Sequence, residues 1–322
     1  MLGLLGLISL FGLLAWLVDR ITPTHVASAS QSRLACVSYA PFRHPAHSPF
    51  NPRLIVSPES IRSDLQQLAK ISNCVRTYGL DHGLDAVPQI ARELGMQVIL
   101  GAWISSDAKA NEAQIQKAIA LSRSHADVIR LMVIGNEVLL RREMSAEPLA
   151  DLLRKVKQES SVPITYADVW EFWLRNAPML QAHVDVVAAH ILPYWEDEPV
   201  HINDAVSHVH QIYSQLEARF NPMPVFIAET GWPAAGRPRG PAVPSAVNQS
   251  RFVREMLSRP YPGKAQGTPL PFNLIEGFDQ PWKRKLEGAM GGAWGLFSWD
   301  GQQRVQFQGA VIEDESAWWA LG

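Results

Sequence analysis

The sequence predicts a (β/α)₈ TIM barrel of the α/β class, preceded by an N-terminal hydrophobic segment, and three observations carry that prediction. Short β-rich runs alternate with amphipathic helical stretches along nearly the whole chain. Most of the runs are almost continuously apolar, as parallel strands covered on both faces must be. Eight such units fit comfortably into 322 residues. A doubly wound open sheet is the other arrangement that this alternation allows. No internal repeat of solenoid length is visible.

The candidate strands lie at 35–39, 73–78, 97–103, 128–134, 163–168, 186–190, 224–229 and 272–278. Between the first two, Ile61, Leu65, Leu68 and Ala69 make an apolar stripe, with Ser57 as N-cap and Pro58 in the first turn. The stretch 84–94 ends at Gly95, a left-handed C-cap. Ser145 opens a helix through Leu149, Leu152, Leu153 and Val156, and later helices span 201–218 and 245–258. The Gly/Pro-rich stretch 233–244 reads as a long loop after the seventh strand. Residues 291–322 read as an irregular or hairpin-like tail turning at Asp300-Gly301.

With 47% hydrophobic and 19% charged residues the chain can bury a large core. A net charge of −2 gives no electrostatic basis for binding nucleic acid, whereas a neutral polymer suits it. Eleven Trp are many; about half are expected in the core, the rest free to stack on apolar ring faces. Cys36 and Cys74 are too few for a disulfide framework or a cysteine zinc site. One bridge is geometrically open to them, and two inert buried thiols are the expected state. The ten His lack metalloprotease spacing, and no phosphate loop or dinucleotide fingerprint occurs, so no metal or cofactor is expected.

Residues 1–18 contain no charge and are almost wholly apolar or small. Residues 1–20 read as a signal or membrane anchor, followed by a linker over 21–33 and a barrel over 34–322. The segment has no basic n-region, and Ala27-Ser28-Ala29 offers a small-residue cleavage site. Asp19 and Arg20 offset each other, so orientation is not written in charge. An exported protein follows, periplasmic or at the cell surface, with the segment cleaved or retained as a membrane tether.

Barrels of this class place working groups at the C-terminal ends of their strands. Those ends here carry Arg76-Thr77-Tyr78, Trp103, Asn136-Glu137, Tyr166 with Asp168, His190 with Tyr194-Trp195, Glu229, and Glu276 with Asp279. Glu137 and Glu229 follow apolar strands four and seven directly, across the mouth from each other. Two carboxyl groups roughly 5–5.5 Å apart are what retaining glycoside hydrolysis needs, one as nucleophile and one as acid/base. Two unrelated salt-bridged glutamates are the bland reading; the pairing on opposed strands favours chemistry.

Gly135-Asn136-Glu137-Val138 together with Ala228-Glu229-Thr230-Gly231-Trp232-Pro233 resembles glycoside hydrolase family 17, the β-1,3-glucanases. Matching pieces run from Val37-Ser38-Tyr39-Ala40-Pro41-Phe42-Arg43 to Gly277-Phe278-Asp279-Gln280-Pro281-Trp282-Lys283, and include Val75-Arg76-Thr77-Tyr78-Gly79 and Thr165-Tyr166-Ala167-Asp168-Val169-Trp170. The resemblance implies that Glu229 is an ionised nucleophile, that Glu137 is an acid/base carrying the proton at rest, and that Asn136 holds a sugar 2-hydroxyl. It further suggests Tyr194 as a donor to the nucleophile and Lys283 as a charge balancing the site. Tyr39, Tyr78, Trp103, Trp170, Trp195, Trp232 and Trp282 are candidates to line sugar subsites, and Asp168 to contact sugar hydroxyls. Arg76 and His190 are read as structural hydrogen-bonders.

Plant members carry a glutamate near Gln280, so the hydrogen bonds around Lys283 are expected to differ; the sequence is closer to the bacterial branch, especially over 165–170 and 278–283. That branch includes hydrolases and transglycosylases, which share a covalent intermediate and differ in whether water or a sugar hydroxyl attacks it. The expected partner is a β-glucan oligosaccharide or polysaccharide, with the membrane a second partner if residues 1–18 persist. A catalytically inactive carbohydrate-binding barrel is the competing reading, and the presence of both glutamates and Asn136 stands against it.

Overall fold

The computed structural model describes residues 26–259 and 271–311. Residues 1–20, the first five residues of the linker and the last eleven residues of the tail lie outside them, and so does the signal-or-anchor expectation. Among the described residues no helix is long and apolar enough to cross a membrane.

Eight parallel strands close in chain order into one barrel, which excludes the open sheet. They are β1 (Cys36–Ser38), β2 (Cys74–Arg76), β3 (Gln97–Ala102), β4 (Ile129–Asn136), β5 (Ile164–Val169), β6 (Val187–His190), β7 (Val225–Thr230) and β8 (Phe272–Leu274). The eighth is shorter than its apolar run suggests. Beyond Leu274 the backbone is claimed from outside the barrel: Glu276 N–H donates to Trp294 O, and Glu276 and Gly277 carbonyls accept from Leu296 and Phe297. The described helices are α1 (Pro58–Leu68), α2 (Val87–Glu93), α3 (Ala108–Ser124), α4 (Ala146–Glu159), α5 (Trp170–Leu180), α6 (Ile202–Phe220), α7 (Ala246–Ser258) and the single turn α8 (Arg284–Glu287).

Local chemistry sets the helix starts. Ser57 Oγ accepts from Ser60 N–H, Asp107 from Lys109 and Ala110 N–H, and Ser245 Oγ from Asn248 N–H. Gly95 takes φ 67° just beyond α2. Two helices escape the sequence reading. In α3 the apolar positions are mostly alanine, so its stripe is faint, and α5 follows β5 without a gap and contains Pro178. The tail turns as expected, with Gly301 at φ 92° and Gly301 N–H donating to Ser298 O. Buried Arg254 of α7 gathers both ends of the described chain, donating to the carbonyls of Val26, Gln306, Gln308 and Gly309.

Along the strands alternate residues serve two layers. Ile99, Leu131, Val133 and Phe226 fill the bore beside the small Ala167, Ala188 and Ala228. Their neighbours Val98, Leu100, Met132, Ile134 and Ile227 pack outward in the larger cluster. Cys36 and Cys74 belong to the bore and are joined by a disulfide, Cα–Cα 4.3 Å, which corrects the expectation of two thiols. The reason is register. Val37 pairs with Val75, so the preceding residues of β1 and β2 face each other on the same side.

The bridge closes a loop of sequence separation 38, so reduction acts on stability. The Cys36→Ala/Cys74→Ala double variant is expected to unfold about 2–4 kcal/mol more easily in denaturant. Thiol titration of the unfolded, unreduced wild type should find no free thiol among the two cysteines.

Candidate active site

The site is built by departures from regular pairing at the strand ends. Register shifts occur between Val133 and Asn136 on β4, Ala189 and His190 on β6, and Ile227 and Thr230 on β7. Such irregularities re-aim side chains, and all three stand where polar groups must turn into the mouth. On β4 the turn is completed by Gly135 at φ 83° and Glu137 at φ 54°. A Cβ at Gly135 would come within 2.7 Å of Val138 Cγ2, so glycine is required there. Glu137 holds a left-handed backbone at a cost of about 1–3 kcal/mol. Its loop is over-determined in return: Glu137 N–H donates to Ala167 O, and Leu139 N–H to the Tyr166 hydroxyl, which in turn donates to Asp168.

The two glutamates converge. A carboxylate oxygen of Glu137, a ring nitrogen of His190 and a carboxylate oxygen of Glu229 all lie within 4.8 Å of one another. Arg76, fully buried, donates through Nη1 to Glu229 Oε1 at 2.7 Å and to Ala228 O at 2.9 Å, and through Nη2 to Asn136 Oδ1 at 2.6 Å. His190 stands between the pair, Nδ1 2.9 Å from Glu137 Oε1 and Nε2 3.6 Å from Glu229 Oε1. The Tyr78 ring packs 4.6 Å from the Arg76 guanidinium carbon, and its hydroxyl lies 2.9 Å from Ser38 Oγ. Asn273 Nδ2 donates to that Ser38 oxygen and to Ala228 O.

Burial acts to raise the Glu229 carboxyl, but His190, Arg76, the Tyr78 hydroxyl and Lys283 together hold it below the usual range. Glu229 is therefore ionised. His190 is desolvated, which lowers it, yet the two glutamates outweigh this and raise it above the ordinary imidazole value. Behind Glu229, burial pushes Glu276 up to about 7 even though Lys283 Nζ sits 3.0 Å from both its oxygens. Lys283 is itself raised, desolvation being outweighed by Glu276 and Glu287. The Glu137–His190–Glu229 group has the donor set of a divalent-cation site. Arg76 and Lys283, both beside Glu229, oppose placing further positive charge there.

A cleft of 720 Å³ opens above the pair, lined among others by Tyr39, Tyr78, Trp103, Asn136, Glu137, His190, Trp195, Glu229, Trp282 and Lys283. Most of the expected site residues are thus brought together. Arg141 packs 4.2 Å from the Trp103 ring, and the Tyr39 hydroxyl donates to Asp64. Four expected residues are not among those that line the cleft: Trp170, whose indole N–H donates to Glu196, and Tyr194, Trp232 and Asp168. Tyr194 is buried, its hydroxyl donating to Arg237 O rather than to Glu229. The Trp232 indole is core and donates to Val243 O. Asp168 is fully buried under the loop after Glu137, where it braces Tyr166. The Gln280 carbonyl accepts from Lys283 N–H, but its side chain donates to Ala40 O and accepts from Trp282 Nε1, and Glu276 supplies the carboxylate that meets Lys283 Nζ.

Arg76 and His190, read from the sequence as structural, in fact contact the glutamates directly. Glu276 and Asn273 lie outside the matching pieces, and Ser38, inside one, was given no role. Their only signal was position on a strand end or a facing strand. A second cavity of 880 Å³ lies at the opposite end of the barrel, and its described lining contains one carboxylate, Glu217. Paired acid chemistry therefore belongs to the first.

The model of the BtgE/BtgC glycoside hydrolase domain matches residues 36–295, nearly the whole barrel. A probable β-glucosidase btgE of Aspergillus flavus is 30% identical over 189 residues, 57% of this chain and 31% of that protein. The glucan 1,3-β-glucosidase of Schizosaccharomyces pombe is 26% identical over 240 residues, 69% of this chain and 72% of that protein. The chain thus spans about a third of the btgE relative and most of the yeast one. Among solved structures, the glycoside hydrolase family 17 β-1,3-glucanosyltransferase of Rhizomucor miehei superposes with a TM-score of 0.72 at 21% identity, covering 85% of this chain and 97% of that one. That likeness is one of fold. With the matched model covering both glutamates and the strands that carry them, the chain belongs to the BtgE/BtgC glycoside hydrolase domain family.

Proposed function

We propose that this chain is a retaining β-1,3-glucan-active enzyme, an endo-β-glucanase or β-glucan transglycosylase, working by double displacement. The observation that carries the reading is the approach of Glu137 and Glu229 to within 4.8 Å. Retaining enzymes need roughly 5–5.5 Å between the two carboxyl groups, whereas inverting ones leave about 6.5–9.5 Å for a water. The relatives named for β-1,3-glucan chemistry support the substrate class.

In the first step a Glu229 oxygen bonds to the anomeric carbon while the bond to the leaving sugar oxygen breaks. Glu137 delivers its proton to that oxygen. In the second step water or a sugar hydroxyl bonds to the anomeric carbon, Glu137 takes its proton, and the ester to Glu229 breaks. The His190 ring contacts Glu137 Oε1 and leaves the other carboxyl oxygen to carry the proton. Asn136, oriented by Arg76, is placed to meet a sugar hydroxyl with its amide N–H₂, because its carbonyl oxygen is already engaged. Aromatic side chains line the cleft on both sides of the pair, Phe42 and Trp282 on one and Phe172 and Trp195 on the other. A chain bound across the bond suits internal cleavage or transfer. Export, and tethering through residues 1–18, belongs to the same reading: the run is uncharged, and a disulfide suits an oxidising compartment.

With laminari-oligosaccharides the wild type should release shorter chains by hydrolysis or longer ones by transfer, read by mass, with the anomeric configuration retained. Glu229→Ala should lose turnover, and added azide should yield a glycosyl azide of inverted configuration. Wild-type inertness on all β-1,3-linked substrates would favour a binding barrel instead. Arg76→Met removes a charge that holds Glu229 low, so the acidic limb of the kcat/KM profile should move to higher pH. The same variant strands a buried carboxylate, and denaturant titration should show a loss of about 3–5 kcal/mol.

A further inference from the structure

We infer that Phe50 and Trp282 form a sugar-stacking platform at the outer end of the cleft, a subsite for a glucosyl unit remote from the bond being cleaved. The inference rests on the glucan-active reading and adds to it a preference for longer chains.

Phe50 is 71% exposed, the most exposed large apolar side chain among the described residues. It nonetheless lines the same cleft as Glu137 and Glu229. Its ring stands edge-on to Trp282, centroids 5.7 Å apart and planes at 82°. Beneath them buried Phe42 meets Trp282 at 6.5 Å and His82 at 5.1 Å, both edge-on. The rings rise in steps from the core to solvent, with Phe50 outermost.

The segment that presents Phe50 is stiff although it holds no helix or strand. Pro41, Pro45, Pro49 and Pro52 punctuate it, and Phe42 and Phe50 each follow a proline. Arg43 pins it with Nε to Asp64 and Nη1 to Trp299 O. Farther on, Leu54 N–H donates to Asn51 O, and Val56 N–H to His82 O. Trp282 is oriented by Gln280, which accepts its indole N–H and donates to Ala40 O at the root of the segment. A large ring fixed in water by a rigid scaffold retains its apolar surface for a ligand, and little ordering is left for binding to impose. The faces of a β-linked glucose ring carry C–H groups, which are the chemistry such a ring accepts. Continuity with the catalytic cleft makes the occupant the far end of the chain whose other end lies over Glu229.

The test compares kcat/KM for laminarihexaose with that for laminaritriose. In Phe50→Ala the hexaose-to-triose ratio should fall about tenfold, the change expected from losing one aromatic stacking contact. Phe50→Trp should restore it. Ile55→Ala removes a side chain of the same segment that is 69% exposed and outside the cleft, and should leave the ratio at the wild-type value. An unchanged ratio in an active Phe50→Ala variant overturns the platform and leaves the catalytic reading standing. A fall of equal size in Ile55→Ala overturns it too, by tracing the effect to the segment as a whole. Wild-type inertness on both substrates would instead remove the glucan reading and the platform with it.

Discussion

A single buried guanidinium holds the reacting groups in register. Arg76 rises from the end of β2 and reaches Glu229 on β7 and Asn136 beside Glu137 on β4, so three strands that do not neighbour one another are tied at their working ends. The cation has no exposure, and each partner meets it within 2.7 Å. Removing two charges from water costs several kcal/mol apiece, repaid only where geometry and accessory hydrogen bonds are good. Here the accessory bonds are the Ala228 carbonyl and the Tyr78 ring face. The arrangement keeps Glu229 charged at the bottom of a site whose burial would otherwise neutralise it.

Around that tie the charges are graded by depth. Lys283 and Glu276 form a buried pair behind Glu229, where Glu276 hovers near neutrality and Lys283 remains positive. His190 bridges the two glutamates and responds to both. Glu137, with a quarter of its side chain exposed, opens to the cleft, while Glu229 is nearly enclosed. Two chemically identical side chains are thereby given different environments, which is the condition for splitting their roles. The backbone supports this difference, since Glu137 sits on a strained left-handed turn braced by Tyr166 and Asp168.

The motifs that were legible in the sequence were those confined to one strand end. Asn136-Glu137 after an apolar run, and Glu229-Thr230-Gly231-Trp232-Pro233 after another, could be read because strand and turn are contiguous in the chain. Tyr194, Trp232 and Asp168 were misplaced for the complementary reason. Each sits within a few residues of a strand end, and only side-chain direction sends them into the core rather than the cleft. Phe50 was invisible because it belongs to a loop without periodicity.

Alternation of apolar runs with helical stretches determined the eight-fold barrel, since a strand buried on both faces and a helix with one apolar stripe have few ways to cover each other. The two glutamates at strands four and seven were likewise set by order along the chain. The tertiary structure decided what depends on register and rotation across strands: that Cys36 meets Cys74 in the bore, that Arg76 and His190 turn onto the carboxylates, and that Gln280 serves Trp282 while Glu276 serves Lys283. A shift of one residue in a strand reverses the face of every side chain on it, so these pairings exist only once the barrel has closed.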